Sequence, residues 1–148
     1  MFRGSSFHKI DAKGRIIIPT RFREVIKANG DDGVTISRMD SCLVAFPFNK
    51  WHEIETKILT MAKKSEKMRR FRRVFIGGAF VCNCDKQDRI LIPPSLRQYA
   101  ALDKEIVLVG VLDHFEIWSR DNWENENKVQ EEDMKEEEVR NEIAELGI

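Results

Sequence analysis

The chain repeats itself, and this constrains its fold more than any single motif does. The run Asp11-Ala12-Lys13-Gly14-Arg15-Ile16-Ile17-Ile18-Pro19 returns 74 positions later as Asp85-Lys86-Gln87-Asp88-Arg89-Ile90-Leu91-Ile92-Pro93. The same offset sets Gly4 on Gly78 and Arg23 on Arg97. At an offset of 72, Val34-Thr35-Ile36-Ser37 falls on Ile106-Val107-Leu108-Val109, and Leu43, Ala45, Phe46 and Trp51 fall on Phe115, Ile117, Trp118 and Trp123. The two lost positions lie in the connectors 24–33 and 98–105, where elements normally differ in length. A doubled unit follows, each copy reading strand, turn, strand, short helix, strand, strand.

Local chemistry fills in that outline. Gly14 supplies backbone freedom for a tight turn, and Asp11 can accept from nearby backbone donors. Arg15 to Ile18 is dominated by apolar, β-branched isoleucines, a short strand stopped by Pro19. Thr20 is the expected N-cap of a helix reaching about Lys27, with Phe22, Val25 and Ile26 on one side. Val34–Ser37 and Leu43–Phe46 read as an antiparallel pair around 38–41. After Pro47, Trp51, Ile54, Ile58 and Met61 recur at helical spacing, as do Met68, Phe71 and Phe75.

Charge separates the halves. Residues 1–74 carry 17 Lys and Arg against 8 Asp and Glu, a net of +9, and residues 75–148 carry the reverse. A neutral total therefore conceals the asymmetry of a nucleic-acid face beside an acidic tail. Residues 124–148 hold ten Asp and Glu against three Lys and Arg. Val139, Ile143 and Leu146 give the end of this tail a helical stripe, and its start is expected to be poorly ordered. The sequence shows no membrane-length apolar run or signal-peptide core, and three cysteines form no disulfide framework. A reduced, cytosolic protein is expected.

With its opening Met-Phe-Arg-Gly, its two Asp-x-x-x-Arg motifs and its Gly-Arg-Ile-Ile-Ile-Pro run, the chain resembles the MraZ family, AbrB-related transcriptional regulators of the bacterial division and cell-wall gene cluster. The resemblance spans about residues 1–123. It implies an α+β fold in which tandem AbrB-like units form a swapped-hairpin β-barrel, a pseudo-dimer with flanking helices. The expected divisions are a first SpoVT-AbrB-like unit at 1–50, a helical linker at 51–76, a second unit at 77–123 and the acidic tail at 124–148. The resemblance also implies ring-shaped homo-oligomers, binding to repeated promoter sites in double-stranded DNA, usually repression, a nucleoid location, and no catalysis. No cofactor, metal, membrane or small-molecule substrate is expected.

DNA binding needs Lys and Arg for phosphate and a side chain that reaches a base edge, for which the forked guanidinium is best suited. Residues 8–23 carry Lys9, Lys13, Arg15, Arg21 and Arg23 against Asp11, a net of +4; residues 82–97 net +1. The second copy also has Asp88 where the family pattern calls for Gly. From these charges the first copy is expected to face DNA and the second to be mainly structural. Arg15 is assigned the principal contact with Lys13 beside it, and Arg3, Lys9 and Arg21 the phosphates. Asp11 and Asp85 are turn-closing residues, Arg89 belongs to the structural copy, and matched Arg23 and Arg97 share a structural role. The competing role for Arg15 is a rim ion pair with the motif carboxylate. Basic residues from Lys63 to Arg73 are a rival DNA surface, read here as a solvated helix face or a dock for a neighbour's acidic tail.

Two readings from other classes stand beside this one. Cys82-x-Cys84, His8, Cys42 and His114 could in principle supply metal ligands, but the spacing is not a paired Cys-x-x-Cys signature, and core cysteines on one strand face look the same. The other is a ring-forming scaffold with no nucleic-acid role.

Overall fold

The computed structural model describes residues 1–61 and 65–148. Lys63 and Lys64, expected on the basic linking helices, lie outside the described residues. The first copy folds as β1 (Ser5–Lys9), β2 (Arg15–Ile17), α1 (Thr20–Ala28), β3 (Gly33–Met39), β4 (Cys42–Phe46), α2 (Phe48–Thr60) and α3 (Glu66–Gly77). The second repeats the order as β5 (Phe80–Asn83), β6 (Arg89–Leu91), α4 (Pro94–Tyr99), β7 (Glu105–Gly110), β8 (Phe115–Ser119), α5 (Arg120–Asp133) and α6 (Glu137–Ala144).

The copies are interleaved. One antiparallel sheet runs β1-β7-β8-β4-β3-β5, so each copy's first strand pairs with the other copy's third. The strand pair β2–β6 forms a second, two-stranded sheet. Mixed helix and antiparallel strand is as expected, but the barrel is met only in part. The ladder is open, with β1 and β5 as its edges, and the β2–β6 ribbon stands outside it.

Side chains alternate across the large sheet as the pleat requires. Val34, Ile36, Leu43, Ala45, Ile106, Leu108, Phe115 and Ile117 enter one core with Ile16, Ile18, Phe22, Ile90, Ile92 and Leu96 from the ribbon and the short helices. Cys42, Val44, Phe46, Val107 and Trp118 enter a second core on the opposite face, covered by Trp51 and Ile58 of α2 and Phe75 of α3. Trp51 is thus a core residue, as its position implied. The β3–β4 turn is tighter than expected: Asp40 and Ser41 both have positive φ, 54° and 65°, the two-residue type I′ geometry that matches strand twist.

Two local expectations are corrected. Thr20 is the first helical residue and not the cap; Pro19 precedes the helix with no side-chain cap bond, and Thr20 Oγ1 instead accepts from Arg23. The start of the acidic tail is helical: α5 begins at Arg120, capped by Ser119 Oγ accepting from the Asn122 N–H at 3.1 Å. Where α2 has Ile54, Ile58 and Met61, α5 has Glu126, Gln130 and Asp133 at the offset of 72. Without that stripe α5 buries no residue, and α6, which carries Val139 and Ile143, buries none either, although the two repeat α2 and α3 in order.

Candidate nucleic-acid interface

The two Asp-x-x-x-Arg motifs meet in the β2–β6 ribbon. The register pairs Arg15 with Leu91, Ile16 with Ile90 and Ile17 with Arg89, about a local twofold at the central isoleucines. The central pair is buried, so the period of two turns the outer residues the other way. Arg15, Ile17, Arg89 and Leu91 therefore share one face, on which Ile17 and Leu91 remain 58% and 55% exposed. This is a two-stranded ribbon with an arginine on each strand and apolar residues between them.

Each ribbon strand is led in by a turn closed in the same way. Asp11 Oδ1 accepts from the backbone N–H of Lys13 at 3.0 Å and of Arg15 at 2.8 Å, and Oδ2 accepts from Arg15 Nε at 2.7 Å. Asp85 does the same with Gln87, Arg89 and Arg89 Nε, at 2.8, 3.0 and 2.9 Å. The backbone donors of Arg15 and Arg89 are the main reason both carboxyls are held below their ordinary pKa. Turn closure by Asp is therefore observed, and so is the rim ion pair. The two roles for Arg15 are compatible: Asp11 holds Nε, which orients the guanidinium, while the motif ion pair leaves the outer nitrogens outside it.

Gly14 takes φ +89° and Asp88 takes φ +60°, so the same left-handed turn is made once by the residue suited to it and once by a tolerated one. Arg23 and Arg97 share one anchoring bond at their matched positions: Arg23 Nε donates to Ile18 O and Arg97 Nε to Ile92 O, both at 3.0 Å.

The other first-copy cations divide. Lys9 lines an open cleft of about 790 Å³ with Asp11, Arg97 and Lys104, beside the first turn. Arg3 lies before β1, six residues from Lys9, about 20 Å away along an extended chain. Arg21 is engaged with that far end, donating to Arg3 O at 3.2 Å and Ser6 Oγ at 3.0 Å and lying over the Phe22 ring. The structure thus gathers Lys9, Lys13 and Arg15 and leaves Arg3 and Arg21 apart. Arg97 also belongs to this end, packing against Gly14; its trace in the sequence is the Gly14-to-Asp88 change within an otherwise matched repeat.

The candidate metal ligands do not converge on one site: Cys42 and His114 both lie against Glu116, and the others stand elsewhere. Cys82 and Cys84 both face the first core, Cys42 faces the second, and His8 lies on edge strand β1. Burial pushes the Cys82 thiol up to about 11. Among the described residues no cluster of three or more His, Cys, Asp or Glu is arranged to hold a metal.

The family model for the MraZ protein, described as antitoxin-like, matches residues 1–74 and again 75–142. The chain belongs to the MraZ family. Its relatives include the transcriptional regulator MraZ of Desulforapulum autotrophicum, 62% identical across the whole of both chains, and that of Desulfosudis oleivorans, 52% identical across the same span. The transcriptional regulator MraZ of Syntrophobacter fumaroxidans is 47% identical over 82% of this chain and 81% of its own. The MraZ model divides the chain after residue 74, within α3 and ahead of β5, the first strand of the second copy. Among the described residues no helix is long and apolar enough to cross a membrane.

Proposed function

We propose that this chain is a transcriptional regulator that binds promoter DNA through the outer face of the β2–β6 ribbon. The observation that carries the reading is the register that sets Arg15 and Arg89 on one exposed face. A major groove admits a two-stranded ribbon, and arginine can bond guanine O6 and N7 together while Ile17 and Leu91 meet thymine methyls. Arg15 makes the principal contact and Lys13 and Lys9 take phosphates. Arg3 and Arg21 reach phosphate of a neighbouring stretch, Arg3 through its exposed side chain. Arg89 stays mainly structural, because the Asp88 carboxylate beside it, paired with Arg23, takes up the place at that turn where a phosphate would sit. The target is the region upstream of the division and cell-wall gene cluster, with repression as the outcome. The units act as a ring of copies on repeated sites, where weak single contacts combine through effective concentration. The swapped-hairpin barrel belongs to the same reading, with the ribbon closing the open sheet by side-chain packing; the burial of Ile16, Ile18, Ile90 and Ile92 in the shared core supports it.

The test is binding of wild type, Arg15→Ala and Arg89→Ala to a duplex spanning the region immediately upstream of the gene, against a scrambled duplex. Sedimentation confirms that assembly is unchanged. Losing one base-reading arginine costs about 1–3 kcal/mol, roughly 5- to 150-fold per contact. Arg15→Ala is expected to show this loss with stability changed by less than about 1 kcal/mol, since its ion pair is solvent-accessible. Equal losses in both variants refute the asymmetry; no preference of wild type for the upstream duplex leaves the scaffold reading.

A further inference from the structure

We infer that the Arg97 guanidinium is a phosphate-binding group beneath the first copy's turn, and that the Asp88 carboxylate fills the corresponding place at the second. The inference rests on the DNA-binding reading above and concerns which parts of the ribbon's surroundings take the backbone of the duplex.

The two arginines start alike. Each stands four residues after the proline that ends its ribbon strand, and each bonds a carbonyl of that strand through Nε. Each then reaches across to the turn of the other copy. Arg23 finds Asp88 there and forms an ion pair through Nη1, while Nη2 donates to Thr20 Oγ1 at 2.7 Å. Its fork is filled. Arg97 finds Gly14, against which it packs so closely that a Cβ would lie 2.7 Å from Cζ. The position equivalent to Thr20 is Pro94, which has no hydroxyl. Among the described residues no carboxylate pairs with Arg97.

The outcome is one fork with its anion supplied by the chain and one without. Arg97 lines the cleft beside the first turn with Lys9 and Lys104; of the carboxylates there, Asp11 and Glu105 are paired with Arg15 and Arg120, while Asp103 and Asp121 have no ion pair among the described residues. A planar guanidinium fork is suited to two oxygens of one anion, carboxylate or phosphate alike. The Asp88 carboxylate shows the geometry at one turn; a DNA phosphate completes it at the other. Gly14 matters here for what it lacks, since any side chain would cover the guanidinium.

The experiment is a salt series on the upstream and scrambled duplexes with wild type, Arg97→Gln, Arg23→Gln and Asp88→Gly, each checked for assembly by sedimentation. Arg97→Gln is expected to lower the slope of log affinity against log salt by about 0.9 per engaged subunit and to weaken both duplexes by the same factor. Arg23→Gln is expected to leave the slope unchanged. Asp88→Gly, at a left-handed position that glycine favours, frees Arg23 and is expected to raise the slope; adding Arg23→Gln restores it. An unchanged slope in Arg97→Gln, or an equal fall in Arg23→Gln, overturns the inference. So does an unchanged slope in Asp88→Gly, which folds even if the Arg97 variant does not. If these occur while Arg15→Ala still loses the upstream duplex, the DNA-binding reading survives alone. Absence of salt-dependent binding by wild type overturns both.

Discussion

Removing the Phe22 ring tests whether the two copies are one cooperative structure. Phe22 is fully buried, with ring centroids 5.3 Å from Phe2 and 5.0 Å from Phe115. Those partners come from the N-terminus and from the second copy's last strand, so the cluster joins segments at both ends of the fold. Phe→Ala in a core costs about 3–5 kcal/mol, and two ring contacts place this site in the upper part of that range. At about 2–4 °C per kcal/mol for a chain of this size, the melting temperature should fall by roughly 8–20 °C. The variant should still fold at room temperature if total stability lies in the upper part of the usual range of about 5–15 kcal/mol. Urea unfolding followed by circular dichroism measures the loss. Tryptophan fluorescence, read in parallel, reports another place, because Trp51 and Trp118 lie in the second core and Trp123 packs against it. In an interleaved fold both signals shift together. A loss below about 1 kcal/mol, or a fluorescence midpoint that stays put while circular dichroism moves, would refute the shared core.

Other expectations follow from single sites. Burial opposes charge on His114, but Glu116 and Asp113 outweigh it and raise the imidazole pKa, with Nδ1 at 2.7 Å from Asp113. This contribution is fully present below the unfolded value near 6.5 and fades as pH rises through the folded one. His114→Gln should therefore flatten the dependence of melting temperature on pH from that value upward, and a dependence equal to wild type would count against the pairing. Replacing Asp40-Ser41 by Asn-Gly suits the type I′ turn and keeps the backbone bond from the Ser41 N–H to Tyr99; thermal melting should show a gain of about 0.5–2 kcal/mol. Ending the chain at Asp133 removes α6, which buries nothing, so stability should change by less than about 0.5 kcal/mol in urea.

Much of this was legible because the repeat and the alternation of apolar residues are local and periodic. The β3–β4 and β7–β8 hairpins, the Asp11 and Asp85 turns and the burial of Trp51 all follow from spacing. Interleaving was carried by the family resemblance, since pairing β1 with β7 spans most of the chain and leaves no periodic trace. The helical start of the tail has its trace in the Ser119 cap and in the alignment of α5 with α2, while the acidic composition points the other way. At the site, the motif positioned Arg15, but the closeness of Arg97 to Gly14 and the hold of Arg21 on Arg3 and Ser6 depend on tertiary packing.

The strand order has a consequence for how the protein is made. Ser5 pairs with Val109 and Phe7 with Val107, so β1 has no partner until the last third of the chain has left the ribosome. Until then Phe2 and the inner residues of β3 and β4 lack the segments that cover them, and the paired edges of β3 and β4 await β5 and β8. Long-range pairing of this kind folds slowly and leaves apolar surface and bare strand edges exposed meanwhile. Synthesis of the first copy alone is therefore expected to yield a sticky fragment, its apolar strands uncovered until β5, β7 and β8 follow.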